Sequence, residues 1–206
     1  TGGLSDYKGR FTSADVTGGA GAFSSMFAGG YSQAGGIRNY DDMMQRNAST
    51  KMRYDFGDTA RVTTLAGYTD SNESEGPYPD DTWYKQKYYE RHVKVLGEYL
   101  PSERAVFSLG GSLIGQNARS FYSYDDRSEF HDMNGTVTAE SVFTFREADT
   151  LLCGIELARD TIESLSLPEA CAMDAHSAYT SYTAIAGPVA VTGGLRYDHH
   201  SEFEDQ

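Results

Sequence analysis

Long apolar runs are missing from this chain: no stretch approaches the roughly 18 apolar residues that a membrane-spanning helix needs, and the mean hydropathy is −0.53. A helical membrane protein is thereby excluded. A membrane barrel is not, because only alternate residues of its strands face lipid. Positive charge is also scarce. Seventeen lysines and arginines stand against thirty aspartates and glutamates, a formal net charge of −13, the opposite of the basic footprint that nucleic-acid binding requires. Cysteine is limited to Cys153 and Cys171. The pattern puts the first in mid-strand on an apolar stripe and the second in a loop beyond that strand's end. A bridge needs Cα atoms within about 7 Å, so no disulfide is expected. The chain begins at Thr1 with neither Met nor a signal peptide, and is read as a processed or excised segment.

Glycine (22), tyrosine (15) and phenylalanine (10) are plentiful, a composition that favours strands joined by tight turns. Strand-like segments are predicted at 5–16, 21–33, 45–55, 59–70, 84–100, 104–118, 129–146, 150–165, 175–186 and 189–203. Their connections alternate. Tight turns are expected at Thr17–Ala20, Asp55–Asp58, Pro101–Glu103, Arg146–Asp149 and Gly187–Pro188, and longer polar links at 34–44, 71–83, 119–128 and 166–174. Short turns on one side and long loops on the other characterise an outer-membrane barrel.

Alternation within the segments agrees. Leu109 and Leu113 share a face opposite Ser108 and Ser112, and Val137, Phe143 and Phe145 oppose Thr136, Thr138, Glu140 and Thr144. Leu151, Cys153, Ile155 and Leu157 oppose Thr150, Gly154 and Glu156. Such strands fit either a sheet around an apolar core with a wet outside, or a barrel with lipid outside and a wet lumen. Length favours the barrel, since spanning takes about 9–11 tilted residues against about 5–6 for a usual soluble strand. Aromatics gather near segment ends (Tyr54, Phe56, Tyr68, Tyr89, Tyr99, Phe145, Tyr179 and Tyr197), where interfacial girdles sit. The fold class expected is all-β: a partial antiparallel up-and-down transmembrane β-barrel of about ten strands.

The last predicted strand carries Val189, Val191, Leu195 and Tyr197 on one stripe and Arg196 and Asp198 on the other. Asp198-His199-His200 resembles a metal motif, but adjacent strand residues face opposite ways, so Arg196 and Asp198 are expected to form an ion pair instead. The words Gly194-Leu195-Arg196-Tyr197-Asp198-His199-His200-Ser201-Glu202-Phe203 resemble a barrel strand of TonB-dependent outer-membrane receptors of the ferric-siderophore type. That family usually has Gly after the Phe, where Glu204 stands here. Gly36-Ile37-Arg38-Asn39, Tyr54–Asp58 and Gly76-Pro77 are similar to features of the same family's early barrel. The resemblance implies that residues 1–206 are a piece of the barrel domain without its plug. It also implies a cell outer membrane of the Gram-negative type, with outer-membrane lipid around the barrel. The partners implied are a ferric siderophore or similar large nutrient complex, and a TonB energy-coupling complex that acts through the plug. Rival readings are a passive porin or complete small barrel, a surface adhesion or structural barrel, and a soluble β protein.

No nucleophile–base–orienter set, phosphate loop or zinc spacing stands out, so neither catalysis nor a cofactor is expected. In the predicted loops, Arg119, Tyr122, Arg127, Tyr78 and Trp83 are candidate ligand contacts, since an anionic aromatic ferric-catecholate suits arginine and aromatic surfaces. The girdle is the competing role for these aromatics. Asp80, Asp81, Asp125 and Asp126 are weak calcium candidates; clustered carboxylates supply oxygens, but no full cage of ligands is legible.

Overall fold

The computed structural model describes residues 2–4, 9–35, 42–75, 83–122, 127–145, 149–167, 169–201 and 204–205. They form one antiparallel sheet. Ten long strands follow one another: β2 (Arg10–Ala20), β3 (Phe23–Gly35), β4 (Asp42–Phe56), β5 (Ala60–Glu75), β6 (Tyr84–Ser102), β7 (Ala105–Tyr122), β8 (Arg127–Phe145), β9 (Asp149–Ser164), β10 (Cys171–Ala186) and β11 (Val189–His200). A short β1 (Gly2–Leu4) lies on β2, and β12 (Glu204–Asp205) continues alongside β10 where β11 ends. Each long strand pairs with its neighbours in sequence, and β1 and β11 are not joined. The architecture is an up-and-down transmembrane barrel segment, as the alternation predicts.

Register sorts the side chains onto two faces. Tyr54, Val62, Gly97 and Leu109 lie in one cross-strand row, and Val95, Gly111, Val137, Leu157 and His176 in another. The apolar face includes Leu109 (63 % exposed), Ile155 (53 %) and Leu195 (80 %), while the sole buried hydrophobic residue among those described is Ala172. A single sheet with so much apolar surface uncovered and no second layer leaves that face to be covered by an apolar partner or lipid. Near the short turns this face carries an aromatic run. Ring centroids lie 6.5 Å apart for Tyr99–Phe107, 5.6 Å for Phe107–Phe143 and 6.4 Å for Phe143–Phe145.

Gly21, Gly57 and Gly187 occupy the short turns with φ of 58°, 66° and 61°, the left-handed conformation that tight hairpins demand. The turn expected at Thr17–Ala20 is therefore displaced. β2 runs through Ala20, with Gly18 and Gly19 paired to Ser25 and Ser24. Gly19 serves close approach, because a Cβ there would meet the Phe23 carbonyl oxygen at 2.8 Å. At the third turn Pro101 lies in a register shift between Tyr99 and Ser102, where a residue without an N–H is tolerated.

The long links are shorter than expected. β5 extends to Glu75, β7 to Tyr122 and β8 back to Arg127, while β10 starts at Cys171. The hydrophobic alternation stops before the strands do, and the backbone ladder continues with polar residues on both faces. Cys171 thus belongs to a strand, not a loop. Cys153 lies opposite Thr180 and Cys171 opposite Ile162, and both thiols are free.

Asp149 ties the start of β9 to the end of β10. It is 5 % exposed and accepts from the Ile185 N–H at 2.9 Å and from the Tyr182 hydroxyl at 2.9 Å. Asp149→Ala is expected to destabilise this corner by about 1–3 kcal/mol, the cost of buried donors losing their acceptor. Faster amide exchange at Ile185 would show it; unchanged exchange would contradict it.

Candidate functional site

The polar face is the chemically active surface of the sheet. Near the short turns Arg61 donates to both oxygens of Glu98 at 2.5 and 2.7 Å, and Arg53 pairs with Asp55 at 2.7 Å. A second chain of contacts crosses β8 to β11. The Tyr179 hydroxyl donates to Glu140 at 2.6 Å, the Arg196 guanidinium lies 5.5 Å from the Tyr179 ring centre, and Arg196 pairs with Asp198 at 2.8 Å. Ser177 donates to Asp198 at 2.6 Å and Arg196 reaches Glu156 at 3.5 Å. The expected Arg196–Asp198 pair is present. Tyr179, expected in an aromatic girdle, is instead part of this polar wall.

Toward the long-loop end the Tyr88 hydroxyl donates to Glu90 at 2.7 Å, with His92 at 3.4 Å from the same carboxylate. Asn134 donates to Asp160 across to β9. Large side chains of this face lie flat on glycines of the adjoining strand. His92 covers Gly67, Tyr179 covers Gly154, and Asn47 covers Gly30, where an added Cβ would stand 2.9 Å from the amide oxygen. The first two glycines leave still less room. At these three positions the covering side chain lies against the backbone of the adjoining strand.

Among the described residues, Arg119, Tyr122 and Arg127 do not form one cluster. Tyr78 lies outside the described residues, as do Asp80, Asp81, Asp125 and Asp126. Trp83 immediately precedes β6 and is 45 % exposed. Arg119, Tyr122 and Arg127, expected in a loop at 119–128, lie on strand ends. Alternation then divides them. Tyr122 pairs with Tyr84 on the polar face, with ring centroids 5.3 Å apart and the Tyr84 hydroxyl 3.5 Å from Ser120. Arg119 and Arg127 share the face of Leu109 and Leu113, beyond its apolar part. Tyr84, one of the aromatics expected around the loop before the fifth predicted strand, is the first residue of β6, and register pairs it with Tyr122.

Arg119 donates to Glu129 at 2.5 Å, Arg127 donates to the other oxygen of the same carboxylate, and His131 lies 3.2 Å from it. Burial works to raise the Glu129 carboxyl, but the two guanidinium hydrogen bonds and charges outweigh it and hold it below the ordinary carboxylate range. The stabilisation is complete above the unfolded-state value of about 4.3 and fades as pH falls through the lower folded-state value. Acidification below about pH 4 is therefore expected to loosen the β7–β8 end selectively. Hydrogen exchange of that end should be acid-sensitive in the wild type and much less so in Glu129→Gln; equal acid response in both would contradict the assignment. Among the described residues, no group of three His, Cys, Asp or Glu side chains is placed to hold a metal.

No family model matches the chain, and no curated protein matches its sequence. Solved structures do match its fold. Ninety-five per cent of the chain overlays the unliganded ferric citrate transporter FecA with a TM-score of 0.80 at 13 % identity, covering 36 % of that protein. The FrpB iron transporter from Neisseria meningitidis (F5-1 variant) gives 0.79 at 12 % identity over 97 % of this chain and 40 % of its own. The RagAB peptide transporter gives 0.70 at 10 % identity, over 93 % and 32 %. The chain spans 32–40 % of these proteins' lengths. At such identities the shared property is the fold.

Proposed function

We propose that this chain is a segment of the barrel of a TonB-dependent outer-membrane receptor, which imports a ferric siderophore or similar large nutrient complex. The overlay of nearly the whole chain on iron-transporter barrels carries the reading. The uncovered apolar face supports a lipid-facing exterior in the outer membrane, and the hydrogen-bonded polar face a lumen wall. In this reading the long-loop end faces the outside and the short turns the periplasm. The energy-coupling complex would act through a plug domain resting on the polar wall.

Within the described residues, Tyr122 and Tyr84 are the proposed ligand contacts, since they stand paired at the outer end of the polar face; Trp83 is proposed with them from its place immediately before β6 and its exposure. Arg119 and Arg127 face away from the lumen and are assigned no ligand role. The test is uptake by cells that produce the full-length protein. Ferric-siderophore accumulation that stops when energy coupling is removed is the expected result. Accumulation that persists without coupling would point to a passive porin. Absence of binding across a siderophore panel would leave a peptide or other cargo, or an adhesion barrel, as the better reading.

A further inference from the structure

We infer that the outer end of the apolar face on β6–β8 is a docking surface for the phosphate groups of outer-leaflet lipid. The inference rests on the membrane reading above and adds a partner to it. The chain as a whole is acidic, with a formal net charge of −13, yet the strands divide that charge unevenly between their faces. On β6 the positions that continue outward from Val95 and Val93 are Arg91, Tyr89, Lys87 and Lys85. On β7 the same face continues from Leu113 through Gly115 and Asn117 to Arg119, and on β8 Arg127 closes the row.

Five cations thus stand directly beyond the apolar band on three adjacent strands. One carboxylate, Glu129, shares this part of the face, and it is already bound by Arg119, Arg127 and His131. The flanking strands add Asp70, opposite Tyr89, and Glu163, opposite His131. Lys85, Lys87 and Arg91 make no ion pair with any described residue. The register also sets Lys87 directly opposite Arg119. Like charges facing each other across a strand pair destabilise a sheet; Glu129 answers Arg119, and an anion bound beside Lys87 would answer the other member.

Position identifies the anion. In a barrel, the residues just beyond the lipid-facing apolar band lie at headgroup level, where aromatic rings also gather; Tyr68, paired with Arg91, and Tyr89 occupy that level here. A phosphate there is reached by flexible lysines and by guanidinium forks. On the lumen-facing side Arg53, Arg61 and Arg196 each have a carboxylate partner, while Lys51 and Lys94 make no ion pair with a described residue.

The test uses the full-length protein reconstituted into vesicles of phosphatidylcholine alone, or of phosphatidylcholine with phosphorylated lipid A. Native mass spectrometry then counts the lipid retained. The wild type should retain phosphorylated lipid, and K85Q/K87Q/R119Q should lose at least tenfold in retention, since each cation near an anionic surface is worth about fivefold. The control K51Q/K94Q removes two positive charges from the opposite face and should retain lipid as the wild type does. Equal retention by the wild type and the triple variant, or equal loss in the control, overturns the inference. Recovery of the protein in the soluble fraction without detergent would instead refute the underlying membrane reading.

Discussion

Leu109→Arg is expected to stop the barrel from assembling, although Leu109 is 63 % exposed in the sheet. On a soluble protein such an exposed position accepts arginine at almost no cost. Here Leu109 stands in the middle of the apolar band, between Gly97 on β6 and Ala139 on β8. An arginine at the bilayer midplane costs about 2–4 kcal/mol, a large fraction of the stability of most folded chains. The neighbouring Ser108 provides the contrast. It faces the opposite way, between Glu98 and Glu140, so Ser108→Arg gains two carboxylate neighbours. The fraction folded in vesicles, read by heat-modifiable migration and urea unfolding, should collapse for Leu109→Arg and hold for Ser108→Arg. The reverse order would place lipid on the wrong face.

Gly154→Val should be the most damaging substitution on the polar wall. A Cβ at Gly154 would run into the Tyr179 ring, and the backbone that carries it is fixed by ladders to both β8 and β10. The ring must therefore swing off the wall. That breaks its 2.6 Å hydrogen bond to Glu140 and its stacking under Arg196, with an expected loss of about 1–3 kcal/mol, as for other overpacked sites. A double-mutant cycle isolates the cause. In a Tyr179→Ser background the space is already open, so adding Gly154→Val should cost little. Fully additive losses would mean that the valine acts on the backbone and not through the tyrosine.

Much of this architecture was legible in the sequence because a barrel writes its faces in plain alternation. Leu109, Leu113, Ile155, Leu157, Leu195 and Tyr197 could be assigned to one face from a period of two alone, and the structure places them there. The limits of the strands were harder to read. Beyond Val93 or Leu113 both faces become polar, and a polar strand protruding from a membrane has the composition of a loop. Arg119, Tyr122 and Arg127 were consequently expected in a loop, where they would have formed one cluster. Once β7 is known to reach Tyr122 and β8 to begin at Arg127, alternation separates them. Tyr179 was misassigned for another reason. Whether a tyrosine near a strand end belongs to a girdle or a wall depends on its face, and on β10 the stretch His176–Tyr182 alternates too weakly between apolar and polar residues to show it. Registry with Gly154 and Arg196 resolves the face.

The division into a lipid face and a lumen face is tested most directly by single-cysteine scanning of β7 in the full-length protein. Cys153 and Cys171 are first replaced by serine, and cysteines are then introduced one at a time from Phe107 to Leu113. With the protein in a bilayer, a membrane-impermeant thiol reagent should label Ser108→Cys and Ser112→Cys. It should spare Phe107→Cys, Leu109→Cys and Leu113→Cys, and fluorophores at those three sites should be quenched by lipid-borne quenchers. Uniform labelling along the strand, or quenching at Ser108→Cys and Ser112→Cys, would contradict the barrel wall described above.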